Sequence, residues 1–96
     1  PSNAPLLGQC SIVNNQGGWG IRGAFFSSSI SDNVTGPLDL LSATRTAICG
    51  NVVGVYGTLS IETAVDGGQN VVTSNVNTAV PVGFINPSTI VANNVL

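Results

Sequence analysis

In the stretch Ile48-Cys49-Gly50-Asn51-Val52-Val53-Gly54-Val55-Tyr56-Gly57-Thr58-Leu59-Ser60-Ile61-Glu62-Thr63-Ala64-Val65, side-chain character alternates from Val53 onward. Val53, Val55, Leu59, Ile61 and Val65 share one face, and Val52, Tyr56, Thr58, Ser60, Glu62 and Ala64 share the other. That is the period-two pattern of a strand with one buried face, or of two shorter strands bent at a glycine.

The composition around this stretch supports the same class. The chain has 96 residues, of which 43% are hydrophobic and only 6% charged, with net charge -2. Charged residues make up about 25% of an ordinary soluble domain. Low charge alone favours disorder, but disorder also needs low hydrophobicity, so this chain collapses. Abundant Val and Ile favour strands, and the absence of Lys removes a usual builder of exposed helix faces. One all-β domain is expected over residues 9–96, preceded by an arm over residues 1–8 in which Pro1, Pro5 and Gly8 discourage regular structure. The expected architecture is a small antiparallel sandwich or barrel of about six to eight strands.

Flanking segments fill in that expectation. Cys10 to Val13 reads as a short strand closed by Asn14-Asn15-Gln16-Gly17-Gly18, whose residues tolerate positive φ. The next strand runs from Trp19 toward Ile30, with Trp19, Ile21 and Phe25 on one face and Arg22, Ala24 and Phe26 on the other. Residues 38–47 have the spacing of a short helix, with Pro37 at its start and Asp39 in its first turn. Asp66-Gly67-Gly68-Gln69 carries a strong hairpin signal. Residues 70–80 then alternate, an irregular connection covers residues 81–87, and a final strand covers residues 89–95.

A weaker regularity overlies these segments. Asn33-Val34, Asn51-Val52-Val53, Asn70-Val71-Val72 and Thr89-Ile90-Val91 begin about 18 to 19 residues apart. The spacing suits repeated hairpins or solenoid coils, and the abundance of Asn and Val also yields it by coincidence.

Chemistry-bearing residues are scarce. Histidine and lysine are absent, which removes the imidazole base and the amine nucleophile. No catalytic residues, metal ligands or cofactors are expected. Glu62 and Asp66 share a strand face but would stand roughly 13 Å apart on a straight strand, too far to act as a carboxylate pair. Gly17 to Gly23 is glycine-rich without the lysine of a phosphate-binding loop. Arg22 and Arg45 are too few for nucleic-acid binding. No apolar run approaches the roughly 18 residues of a membrane-spanning helix. Cys10 and Cys49 are expected to form one disulfide, closing a loop worth roughly 3–4 kcal/mol. The cysteine pair, a first residue Pro1 and an uncharged polar surface fit an exported protein, in which Asn33-Val34-Thr35 is a candidate glycosylation acceptor.

The surface is therefore the remaining asset. Strand edges without lysine or proline gatekeepers invite pairing with other chains. The expectation is a secreted, self-assembling structural protein of a filament, pilus or coat, with itself as partner. Trp19, Phe25, Phe26, Tyr56 and Phe84 are the expected interface or core residues. The rival expectations are a monomeric carbohydrate- or protein-binding module using Trp19 and Tyr56, and a protease inhibitor presenting residues 32–37 or 81–87.

The stretch from Ala47 to Leu59, with its Cys49-Gly50-Asn51, alternating valines, Gly57 and Leu59, resembles the chaplins, secreted surface-active proteins of filamentous actinobacteria. The resemblance implies assembly into amyloid-like hydrophobic layers. It covers about thirteen residues, and Cys10 precedes the motif where chaplins carry their second cysteine after it.

Overall fold

The computed structural model describes residues 6–8 (backbone only), 11–17, 20–53, 61–77 and 80–95. Strands β1 (Leu6–Gly8), β2 (Ser11–Val13), β3 (Ile21–Phe26), β4 (Ser29–Ser31), β5 (Val34–Thr35) and β6 (Leu38–Thr44) come first. They are followed by β7 (Ala47–Cys49), β8 (Val52–Val53), β9 (Ile61–Thr63), β10 (Asp66–Gly68), β11 (Val71–Thr73) and β12 (Ile90–Ala92). The chain is all-β among its described residues.

Every strand pair among the described residues is parallel, which corrects the expected antiparallel sandwich or barrel. The first sheet runs β1-β3-β6-β10 with β9 also on β6, the second runs β12-β11-β7-β4-β2, and the third pairs β5 with β8. The chain visits the three sheets in turn and then lies down beside its previous pass. This is a three-faced parallel β-solenoid. Strict in-out alternation cannot tell this arrangement from a hairpin, because both bury one face of each strand.

Two recurrent corners convert the alternating sequence into coils. Asn14, Asp32, Gly50, Ser74 and Asn93 all have φ between 58° and 71°, each just past a strand of the second sheet. Ser27, Arg45 and Gln69 have φ between 48° and 58° at the corner leading into that sheet. One left-handed residue turns the chain sharply, and Asn, Asp, Ser and Gly accept that conformation at little cost. Of the face read from Val53 onward, Val53 and Ile61 are buried but Val65 is exposed, and residues 54–60 lie outside the described residues. The expected helix over residues 38–47 is β6, a corner at Arg45 and β7: Thr44 and Thr46 sit in extended and corner positions, and β6 is paired on both sides. The expected hairpin at residues 66–69 is β10 and the corner at Gln69, since the chain turns there into the second sheet instead of folding back.

The interior is a set of stacked columns. Ile12, Ile30, Ile48, Val72 and Val91 align along the second sheet. Ile21, Leu38 and Ile61 align along the first. Phe25 lies over Ala43, a large residue against a small one, and Phe84 packs on the core from the last coil. Leu41 is the extra residue of a bulge opposite Gly23 and Ala24, so it faces outward. Aliphatic stacking in register gives each coil a dry floor and ceiling, which is why coils depend on their neighbours for stability.

Candidate functional site

The solenoid carries a ladder of asparagines at the corner after the second sheet. Asn15, Asn33, Asn51, Asn75 and Asn94 follow one another at separations of 18, 18, 24 and 19 residues. At each step one backbone N–H and one side-chain Nδ2–H donate to the Oδ1 of the next asparagine. From Asn33 these bonds to Asn51 are 3.0 and 2.9 Å, and from Asn51 to Asn75 they are again 3.0 and 2.9 Å. The second Nδ2–H donates backward to a carbonyl of the preceding coil: Asn33 to Ile12, Asn51 to Ile30, Asn75 to Ile48 and Asn94 to Val72, each at 3.0 Å. Asn33, Asn51 and Asn75 are buried, and full hydrogen bonding is what makes such burial tolerable.

The ladder sits in a recurring pentad. Ile12-Val13-Asn14-Asn15-Gln16, Ile30-Ser31-Asp32-Asn33-Val34 and Ile48-Cys49-Gly50-Asn51-Val52 form the first three copies. Val72-Thr73-Ser74-Asn75-Val76 and Val91-Ala92-Asn93-Asn94-Val95 complete it. Each consists of an inward aliphatic, an outward residue, a left-handed corner, the ladder asparagine and a residue opening the third sheet. The 18-to-19-residue regularity mixed two corners: Asn33 and Asn51 belong to the ladder, whereas Asn70 and Thr89 precede the second sheet. There, Asn70 receives a bond from the Thr46 N–H and donates to the Ala43 carbonyl.

At both ends the ladder is incomplete. Asn94 uses one Nδ2–H on Val72, and among the described residues its backbone N–H and second Nδ2–H have no ladder partner. At the opposite end, Asn15 donates to Asn33, and its other Nδ2–H falls back on the Val13 carbonyl at 3.3 Å in its own coil. Nothing among the described residues donates to the Asn15 Oδ1. The strands flanking these residues are also half-paired, because among the described residues β2 meets only β4 and β12 meets only β11. A hollow of about 320 Å³ lined by Ile12, Asn15, Gln16 and Ile21 opens at the first coil. One of about 210 Å³ lined by Val80, Pro81, Val91 and Asn94 opens at the last. Val91, the last member of a column whose middle residues are completely buried, is 39% exposed.

The last coil is tied down by Asp66. Its Oδ1 accepts from the Gly68 N–H, the Asn70 Nδ2 and the Thr89 hydroxyl, and its Oδ2 accepts from the Asn86 N–H. Burial pushes the Asp66 carboxyl up, but the bonds from Asn86, Thr89, Gly68 and Asn70 outweigh it and hold the group below the ordinary 3.8. Asp66 is thus a fastener for residues 86–89, and Glu62 stands apart from it on β9. On the outer face, Arg22 Nε lies 3.8 Å from Asp39 Oδ2, with both side chains near half exposure, an arrangement that adds little stability.

The remaining expected residues scatter. Phe25 is core and Phe84 half-buried against it, whereas Phe26 points outward at 44% exposure. Trp19, Tyr56 and Cys10 lie outside the described residues. Cys49 is a free, half-buried thiol on β7, so the Cys10–Cys49 disulfide finds no support. Asn33, the candidate glycosylation acceptor, is 1% exposed with its amide nitrogen bonded to Ile12 and Asn51. A glycan on that nitrogen would replace ladder bonds. Among the described residues, no group of three or more Cys, Asp or Glu gathers as a metal site, and no helix is long and apolar enough to cross a membrane.

No family model, no curated protein and no solved structure matches the chain.

Proposed function

We propose that this chain is a structural, self-assembling protein of a secreted or cell-surface polymer, working through its strand edges and not through catalysis. The observation that carries the reading is the second sheet ending, at both of its limits, in strands of uncharged residues that are paired on one side only among the described residues: Ser11-Ile12-Val13 and Ile90-Val91-Ala92. Proteins that remain monomeric blunt such edges with charges, prolines or bulges. A formal charge of -2 on 96 residues adds little repulsion between copies. The exported setting rests on the same low charge and on a surface of Ser, Thr, Asn and Gly.

The experiment is light scattering of the purified chain over a concentration series, with negative-stain electron microscopy of the same samples. Growth of regular fibres or sheets with concentration is the expected result. A strict monomer at every concentration, with no ordered assembly in the microscope, would overturn it.

A further inference from the structure

The two ends of the solenoid are complementary in hydrogen-bonding sense. Asn94 presents two donors, its backbone N–H and one Nδ2–H, and Asn15 presents the acceptor, Oδ1. This is the pairing already made four times inside the chain, from Asn15 through Asn94. We propose that copies of this chain stack head to tail, the last coil of one on the first coil of the next, continuing the asparagine ladder across the junction. The proposal rests on the self-assembly reading and specifies its interface.

The register follows from the internal pairings. Ile90, Val91 and Ala92 of one copy lie beside Ser11, Ile12 and Val13 of the next, as Val71, Val72 and Thr73 lie beside Ile90, Val91 and Ala92 within the chain. Val91 then covers Ile12, and the inner aliphatic column becomes continuous. The Asn15 Nδ2–H that now bonds its own Val13 carbonyl transfers to the Val91 carbonyl of the preceding copy, as Asn94 bonds Val72. Neither strand offers a charged side chain to oppose the contact.

Stacking two like ends is disfavoured. Two last coils would set the Asn94 donors against one another, and two first coils would set acceptor against acceptor. The interface is therefore heterologous, and because translation along the solenoid axis does not close into a ring, it yields a polar filament. The second sheet has five strands, so each copy lengthens the filament by about 24 Å at 4.8 Å per strand.

The test uses two end variants of the full chain. Asn15→Arg places a charge over the first coil and Val91→Lys places one over the last; both sites are solvent-exposed, and far-UV circular dichroism and melting check that each variant folds. Each variant alone should remain monomeric at concentrations on the order of tenfold above the onset of wild-type assembly. An equimolar mixture should stop at a dimer in size-exclusion chromatography with light scattering, because one intact junction remains. Wild-type assembly that survives in both variants would overturn head-to-tail stacking while leaving self-assembly standing. A wild type that never assembles removes both readings. Should a variant misfold, Val13→Cys and Ala92→Cys chains mixed under mild oxidation provide the second test. The proposed register sets these positions on neighbouring parallel strands, within disulfide range. Mass spectrometry should find a peptide joining residue 13 to residue 92, and its absence from assembled material would reject the register.

Discussion

Replacing Asn51 by alanine should be the costliest change at a single asparagine of the ladder. The side chain takes part in four hydrogen bonds: it accepts from the Asn33 N–H and Nδ2, and donates to the Ile30 carbonyl and the Asn75 Oδ1. All four lie in a buried environment, and alanine leaves the Asn33 N–H there without a partner. At about 1 kcal/mol net per bond, with an added penalty for buried unsatisfied groups, the loss is about 4–6 kcal/mol. Domains of this size are stable by about 5–15 kcal/mol, so the variant should be close to unfolding. Asn15→Ala is the internal control. Its side chain makes one bond to Asn33 and one exposed bond to Val13, and water replaces what is lost, so about 1 kcal/mol is expected. Urea unfolding followed by circular dichroism, at concentrations too low for assembly, gives the two midpoints with unchanged slope. Equal costs at Asn15 and Asn51, or a loss at Asn51 below about 1.5 kcal/mol, would refute the ladder as a main source of cohesion.

Other perturbations separate its parts. Asn77 is 4% exposed and neither of its amide atoms has a hydrogen-bond partner, while the aligned residue one coil earlier is the buried Val53; Asn77→Val should raise stability by about 1–3 kcal/mol in the same urea assay. Gly83 has φ of 88° and a Cβ there would collide with the Thr63 carbonyl, so Gly83→Ala should lose more than about 1 kcal/mol. By contrast, Gly50→Asn should cost little in thermal melting, because sister corners carry Asn14 and Asn93 at φ of 60° and 58°, and the one atom a Cβ would crowd, Asp32 Oδ1 at 2.6 Å, is the free end of an exposed side chain. Asp66 titrates below its ordinary value when folded, so the unfolded chain binds the proton more readily and stability falls as pH drops from the ordinary carboxylate range through the lower folded value. Asp66→Asn should flatten that acid limb in melting scans, and an unchanged limb would assign it to other groups.

The sequence revealed the class of structure better than its topology. The opposite faces read for Phe25 and Phe26 agree with β3, where Phe25 is buried and Phe26 exposed, but the strand expected to run toward Ile30 ends at the Ser27 corner and resumes as β4 in another sheet. Direction was hidden, because an inward-outward alternation is identical in parallel and antiparallel pairs. The decisive signal was an asparagine preceded by Asn, Asp, Gly or Ser and followed by Val or Gln, and it escaped notice for two reasons. Spacing drifts from 18 residues between Asn33 and Asn51 to 24 between Asn51 and Asn75. The left-handed corner residue also varies among four types, so no single letter recurs there. Asn70 and Thr89, similar in sequence context, belong to a different corner and blurred the period. Helical spacing over residues 38–47 misled because β6 carries a bulge at Leu41, which shifts the inward positions from 38 and 40 to 43 and imitates a longer period.

The ladder's own arithmetic links stability to assembly. Each asparagine gives two donors to the next coil and receives two from the coil before it, so every internal residue is balanced. A ladder of any length retains an empty acceptor at its first member and two idle donors at its last. Adding coils moves the imbalance without removing it; only a cap or another copy removes it. Water satisfies these groups in the monomer, and the junction replaces that hydration with the geometry already used between Asn75 and Asn94. The polar bonds alone then provide little net drive, which is why the aliphatic column matters. Val91 is exposed in the last coil, and Ile12 is partly covered in the first, while Ile30, Ile48 and Val72 between them are sealed. Burying Val91 and Ile12 against each other supplies the apolar gain, and the unmatched asparagines dictate which end meets which.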